Sequence, residues 1–192
     1  MGKRTTANEV WSGAEHMRNI GGLWAVALLT SVFIAGINFA GSATEPMSKT
    51  SPEFEKMKSL VGEWQGKSLD GKTAKVSYTL VSDNSALMEK LSVAGESEMV
   101  TMYHPDGDHL MMTHYCSAHN QPRMRSQKAS MEIKNITLDL VDVTNLSAPD
   151  AGHMSRLVLT FVDQDHFTQE WTWSQKGKES TVVIRFERVK SS

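Results

Sequence analysis

The sequence contains very little cysteine: Cys116 is the only one among 192 residues. A single thiol cannot form a disulfide within the chain, so a hydrophobic core must supply the stability of the fold. The sequence also lacks the paired Cys-x-x-Cys spacing that marks strong zinc sites. Cys116 is therefore either a free thiol or a ligand.

The sequence also lacks an excess of either charge, with 20 Lys and Arg against 22 Asp and Glu and a formal net charge of −2. Nucleic-acid binding needs a clustered basic surface, so this balance argues against a nucleic-acid partner. The 40% of hydrophobic residues excludes a disordered chain, and the length fits one domain with a short accessory segment. Twelve methionines fit either an ordinary core or an adaptable apolar cavity.

An uncharged, largely apolar run covers residues 20–37, after several basic residues and before Ala40-Gly41-Ser42-Ala43. This order is typical of a secretory signal peptide cleaved after Ala43, and an uncleaved membrane anchor is the alternative. We therefore expect a signal peptide or N-terminal anchor at 1–43, a linker at 44–51 and the folded domain at 52–190. Both interpretations place the domain in the periplasm or outside the cell, touching a membrane only through an uncleaved N-terminal segment.

The residues that follow the linker predict one short helix, with Ser51 as its N-cap and Gly62 at its end. Its apolar face is expected to carry Phe54, Met57, Leu60 and Val61.

Beyond Gly62, apolar and polar residues alternate, which is the pattern of β-strands. The predicted strands begin at Gly62 and then cover residues 73–82, 86–94, 97–104, 109–116, 122–128, 131–141, 155–162, 165–174 and 180–190. Short turn-rich connections indicate an antiparallel meander, and closing it into a barrel removes its exposed edges. The predicted fold is mainly β: an antiparallel up-and-down barrel of about eight to ten strands with one short N-terminal helix.

The short helix, the Gly62-x-Trp64 strand and the last strand, Ile184-Arg185-Phe186-Glu187-Arg188, resemble the lipocalin and fatty-acid-binding-protein group of calycin barrels. The resemblance implies that Trp64 closes one end of the barrel beneath Arg185 or Arg188.

A further set of motifs resembles a bacterial family of exported, uncharacterised lipocalin-like domains. These motifs are Tyr103-His104-x-Asp106-Gly107-Asp108, Thr113-His114-Tyr115-Cys116, Asn120-Gln121-Pro122-Arg123-Met124, Gly152-His153-Met154 and Asp165-His166-Phe167-Thr168. The resemblance spans about residues 52–190 and implies a fold and a compartment, but no activity. His119 departs from it, because a small residue such as Gly is expected at this position.

A dense group of polar residues at the end of the fifth predicted strand forms the candidate site. His114 and Cys116 are two positions apart, so they share one strand face with Met112. A strand that is apolar first and polar at its end is expected to run from the core of the barrel to its mouth. The predicted ligand-binding residues are His114, Tyr115, Asn120, Gln121, Arg123, Trp171 and Trp173. In the alternative interpretation, Asn120-Gln121-Pro122 is a turn and Arg123 an outer charge.

Three functions fit these residues. The first is the binding of a small apolar or amphipathic molecule inside the barrel, against walls that include Met112 and Leu159. The second is a metal- or thiol-dependent enzyme or sensor, although no helix N-terminus is predicted near Cys116 to activate its thiol. The metal candidates are His114, Cys116 and His153, with His104 and His119 as further imidazoles. The third function is that of a filled barrel acting as a structural or interaction domain. No cofactor and no catalytic residue follows from the sequence.

Overall fold

A computed structural model describes residues 50–127 and 132–190. The predicted N-terminal segment, residues 1–43, and most of the predicted linker lie outside these residues. Within the described part, ten strands close into one barrel in sequence order, and each strand is antiparallel to both neighbours. The predicted fold class is thereby confirmed.

The helix and the strands follow the predicted order. Helix α1 spans Pro52–Met57 and continues as a 3-10 turn over Lys58–Leu60. The strands are β1 Gly62–Ser68, β2 Thr73–Val81, β3 Ala86–Val93, β4 Met99–Asp106, β5 His109–Tyr115, β6 Gln121–Ser126, β7 Asn135–Thr144, β8 His153–Phe161, β9 His166–Gln175 and β10 Lys178–Arg188. Strand β4 runs further than predicted, through Pro105. Beyond Tyr103 this strand pairs with β5 and no longer with β3, so the lack of a backbone N–H at Pro105 costs little stability.

None of the helices in the described residues is both long enough and apolar enough to span a membrane.

Helix α1 covers the end of the barrel at which β1 begins. The side chain of Ser51 caps the helix by accepting a hydrogen bond from the Phe54 N–H at 3.1 Å. Phe54 and Met57 are fully buried against the barrel core. Val61 is 40% exposed instead of packing on the same face, because the chain turns away at Gly62. The φ angle of Gly62 is +122°, a backbone conformation that residues with a side chain rarely adopt. The helical segment ends at this residue.

Trp64 closes the helix end of the barrel. Its indole N–H donates to the Leu60 carbonyl at 2.7 Å, and only 2% of the residue is exposed. The Arg188 guanidinium lies 4.0 Å from the centre of the Trp64 ring and donates to the Val61 carbonyl at 3.0 Å. Arg185 is exposed on the outer surface, so Arg188 is the residue that makes the expected contact with Trp64.

We expect Arg188→Ala to lower the free energy of unfolding by about 1 kcal/mol, since it removes a cation–π contact and several hydrogen bonds to carbonyl groups. Urea denaturation followed by tryptophan fluorescence measures the change. Arg185→Ala is the matched control on the same strand and is expected to change stability by less than about 0.5 kcal/mol. Equal losses in the two variants would show that the contact with Trp64 contributes nothing.

Apolar side chains fill the half of the barrel next to α1. This part of the core includes Trp64, Tyr78, Leu87, Tyr103, Leu110, Met112, Met124, Leu159, Phe167 and Phe186. Met112 and Met124 are completely buried, so these two methionines act as ordinary core residues. The filled half supports the floor of an open half at the other end.

Candidate functional site

A cavity of about 410 Å³ enters the barrel at the end opposite α1. Its floor is formed by buried side chains, namely Ser68, Leu91, Met99, His114, Trp171 and Ile184. Its mouth is formed by exposed residues of three strand connections and their borders, among them Asp70, Lys72, Glu96, Ser117 and Ala118. The volume lies within the range of about 300–1000 Å³ that small-molecule sites occupy.

Three larger depressions among the described residues, of about 510, 740 and 1010 Å³, lie outside the barrel interior among mostly exposed and often charged side chains. The cavity inside the barrel is therefore the better candidate for a small apolar molecule.

His114 is a polar group in the floor of this cavity, and it is 1% exposed. The other buried polar residue of the lining, Ser68, is already hydrogen-bonded to Asp70 and Lys72. Nδ1 of His114 lies 2.9 Å from the hydroxyl oxygen of Thr101, which the register places opposite it on β4. Its Nε2 is buried and has no hydrogen-bond partner among the described residues. Burial lowers the pKa of His114 to about 4, so the imidazole is neutral near pH 7. The ring also packs against Trp171, with 4.6 Å between ring centres.

A row of buried polar side chains crosses four neighbouring strands beneath the cavity. The register places Tyr78 opposite Glu89, Glu89 opposite Thr101, and Thr101 opposite His114. Directly opposite residues have side chains on the same face of the sheet, which here is the inner face. The row therefore connects the floor of the cavity to the polar centre of the barrel.

Glu89 lies at the centre of that row and is fully buried. Its Oε2 accepts from the Tyr103 hydroxyl at 2.9 Å and from the Gln169 amide at 3.0 Å. Burial raises the pKa of Glu89, although the hydrogen bonds from these groups, Tyr78 and Thr101 act against that shift. No Lys or Arg is buried anywhere in the described ranges, so this carboxyl has no cationic partner in the barrel interior.

The structure brings three predicted site residues, His114, Trp171 and Trp173, together around the cavity. Asn120 is also buried, but it lies in the connection between β5 and β6. Its Nδ2 donates to the Gly152 carbonyl at 2.9 Å and so joins two of the loops at the mouth. Asn120 therefore positions the mouth and does not line the cavity.

Tyr115, Gln121 and Arg123 lie on the outside of the barrel. Tyr115 is 50% exposed, the Gln121 side chain accepts a hydrogen bond from Thr144, and Arg123 forms an ion pair with Asp142. These positions alternate with inward-facing neighbours on β5 and β6, which is why they point to solvent. The alternative interpretation of Arg123, as an outer charge, matches this geometry, and none of these side chains serves as an anchor in the cavity.

The predicted metal ligands do not converge. The described ranges contain no group of three or more His, Cys, Asp or Glu side chains that could hold a metal ion. Cys116 lines the cavity with His114, but His153 Nδ1 is bound to the Ala151 carbonyl at 2.9 Å. His104 is exposed, with its Nδ1 at 3.1 Å from a neighbouring carbonyl oxygen. The geometry therefore gives no support to the metal hypothesis.

His119 lies in the mouth connection after β5 and has a φ angle of +63°. This left-handed conformation favours glycine, which accounts for the small residue expected there from the resemblance. Asn145 holds the turn by donating from Nδ2 to the His119 carbonyl at 2.6 Å. His119 is thus an exposed turn residue.

No family model and no curated protein matches this chain. Among solved structures, a protein of unknown function from the DUF3598 family of Nostoc punctiforme PCC 73102 is 14% identical, with 77% of this chain and 53% of that chain covered and a TM-score of 0.42. The chain therefore spans about half the length of that protein. EF1p2_mFAP2b bound to DFHBI is 9% identical, with 71% of this chain and 98% of that chain covered and a TM-score of 0.35. Neither likeness is close enough to carry an argument, so the site is interpreted from its own residues.

Proposed function

We propose that this protein is an exported lipocalin-like barrel that binds a small apolar or amphipathic molecule in the cavity opposite α1. The observation that carries this proposal is the buried Nε2 of His114, which lacks a partner in the described part of the chain and lies in the cavity floor. Buried polar atoms in native proteins almost always have a hydrogen-bond partner. A polar group on a bound molecule would supply the missing hydrogen-bond partner of Nε2.

The walls of the cavity favour a mainly apolar ligand. Leu91, Met99, Trp171 and Ile184 surround the floor, and together they present aliphatic, thioether and aromatic surface. Burying an apolar molecule against such surface contributes roughly 25 cal/mol per Å² of area removed from water. The charged side chains of the lining lie at the mouth, where a ligand end would remain hydrated.

Export is the second part of the proposal, and it rests on the sequence of residues 1–43. The basic residues, the apolar run at 20–37 and the small residues before Thr44 support a cleaved signal peptide. Intact mass analysis of protein from a periplasmic fraction tests this. A chain that begins at Thr44 is expected, whereas a full-length chain in the membrane fraction would favour the uncleaved anchor.

Binding is tested by titration with N-phenyl-1-naphthylamine, an uncharged probe whose fluorescence rises in apolar sites. We expect saturable binding of one probe per chain, with quenching of tryptophan fluorescence because Trp171 and Trp173 line the cavity. Ala118→Trp, at the exposed mouth, is expected to weaken binding by about tenfold or more by blocking entry. Ala148→Trp makes the same change in a mouth loop that does not line the cavity, and it should bind as the wild type does. A wild-type protein without saturable binding would leave the filled structural barrel as the better interpretation.

Gly152→Ala is expected to reduce probe affinity by about tenfold by displacing Trp173. A Cβ at residue 152 would overlap one edge of the Trp173 ring, with the Cε2 atom at 2.7 Å, so the indole must move within the cavity that it lines. The same titration measures this change. Gly95→Ala is the control, because a Cβ in that mouth turn meets no atom within 4 Å and adds only the strain of an alanine at a φ angle of +84°. Unchanged affinity in Gly152→Ala would show that the position of Trp173 does not shape the site.

A further inference from the structure

The direction of one hydrogen bond decides which polar group the cavity accepts. Thr101 has one hydroxyl hydrogen and lies between two acceptors: Nδ1 of His114 at 2.9 Å and, directly opposite on β3, the Glu89 side chain, whose buried Oε1 has no other hydrogen-bond partner in the described ranges. Pairing the Thr101 hydrogen with this oxygen leaves fewer buried polar atoms without a partner than pairing it with Nδ1, because an imidazole can donate from Nδ1 instead. Thr101 is indeed among the groups whose hydrogen bonds lower the pKa of Glu89. The hydroxyl hydrogen therefore points to Glu89, and Thr101 accepts from His114.

This orientation fixes the tautomer of His114. A neutral imidazole carries one N–H, and Nδ1 needs it in order to donate to Thr101 over the 2.9 Å between them. Nε2 is then left with a lone pair and no hydrogen. The unpartnered atom in the cavity floor is therefore a hydrogen-bond acceptor, and the group that pairs with it must be a donor.

The charges around the cavity disfavour an anion at the same place. Within the described ranges no Lys or Arg is buried, and the buried carboxyl of Glu89 lies next to Thr101 beneath the floor. At the mouth, Lys72 forms an ion pair with Glu96 at 3.1 Å, and Asp70 lies on the same rim. A carboxylate in the floor would lose its hydration and face only a lone pair, which is strongly unfavourable.

We infer that the cavity selects uncharged amphiphiles whose buried end donates a hydrogen bond, such as an aliphatic alcohol or a phenol, and rejects fatty acid anions. This inference deepens the proposed function and depends on it. The selecting elements are the acceptor Nε2 of His114, the relay through Thr101 to Glu89, and the lack of a cation in the described interior.

The test compares compounds of equal chain length that differ only at the polar end. Displacement of N-phenyl-1-naphthylamine from the wild-type protein at pH 7.5 is measured with 1-decanol, decyl methyl ether and decanoate. We expect decanol to bind about five- to tenfold more tightly than the ether, because only the alcohol donates. Decanoate is expected to bind at least about a hundredfold more weakly than decanol. Equal or tighter binding of the ether or of decanoate would overturn the inference.

His114→Leu removes the acceptor while keeping an apolar side chain in the floor, so the preference for decanol over the ether should disappear. Tyr115→Phe is the matched control, since its hydroxyl lies on the outer face of the same strand. Nitrogen NMR of wild-type His114 provides a readout that needs no variant. The spectrum should show a protonated Nδ1 and an unprotonated Nε2, and the Nε2 resonance should shift on addition of decanol. An Nε2–H tautomer would contradict the inference directly.

The outcomes separate this inference from the proposed function. If the probe and all three decyl compounds fail to bind, the proposed function is wrong and the inference falls with it. If they bind without a preference among their polar ends, the barrel is a ligand-binding protein and only the inference about the donor group is wrong.

Discussion

Gly66→Ala is expected to lower the free energy of unfolding by about 3 kcal/mol or more, because it obstructs the closure of the barrel. Gly66 lies in β1 directly opposite Phe186 of β10, the pair of strands that joins the two ends of the sheet. A Cβ at this position would press into the Arg185 carbonyl oxygen and lie 2.7 Å from Cδ1 of Phe186. The carbonyl belongs to a paired strand, so relieving the overlap separates β1 from β10.

Urea denaturation followed by circular dichroism measures this loss. Gly107→Ala is the matched control, because Gly107 has a φ angle of +60° and a Cβ there meets no atom within 4 Å. Its cost is limited to the strain of a left-handed alanine, about 1 kcal/mol. A Gly66→Ala variant that loses no more stability than Gly107→Ala would show that β1 and β10 tolerate a wider separation.

The fold could be predicted because its signals are local. Alternation of apolar and polar residues sets each strand, and the turn residues between strands set the connections. The N-cap of the helix was predicted from Ser51 with Pro52 after it, and the structure confirms both. Barrel closure followed from a general argument about exposed edges and needed no knowledge of individual contacts.

The site was predicted less well, because nearness in sequence is not nearness in space for strand residues. Tyr115 and Arg123 belong to the same dense polar segment as His114, yet alternation turns them to the outside. The sequence did contain a signal for the buried network. Glu89 lies between Leu87 and Leu91 at a spacing of two, which places a carboxyl on the inner face of β3. Its partners come from strands distant in sequence, so register was needed to find them.

A change of pH from 7 to 5 is expected to destabilise Glu89→Gln by about 2 kcal/mol, and to destabilise the wild type by less. The loss arises at His114, whose pKa burial lowers to about 4 in the folded protein. Between its unfolded pKa of about 6.5 and its folded value, the unfolded chain binds more protons than the folded chain. Stability therefore falls as the pH falls through this window.

In the wild type, the protonation of Glu89 has the opposite effect on the free energy of unfolding. Burial raises its pKa, so between its unfolded value near 4.5 and its raised value the folded protein binds more protons than the unfolded chain. Stability from this group therefore increases as the pH falls, which offsets part of the loss at His114. Glutamine at residue 89 keeps a carbonyl acceptor for Tyr103 but cannot be protonated, so the offset disappears.

Urea denaturation of the wild type, Glu89→Gln and His114→Leu at pH 7 and pH 5 separates the two groups. His114→Leu should keep only the Glu89 effect and should become no less stable at pH 5 than at pH 7. If Glu89→Gln and the wild type lose the same stability, the protonation of Glu89 is not linked to folding over this range. If Glu89→Gln loses none, His114 is not buried as a neutral imidazole, and the acceptor role of its Nε2 in ligand binding would lose its basis.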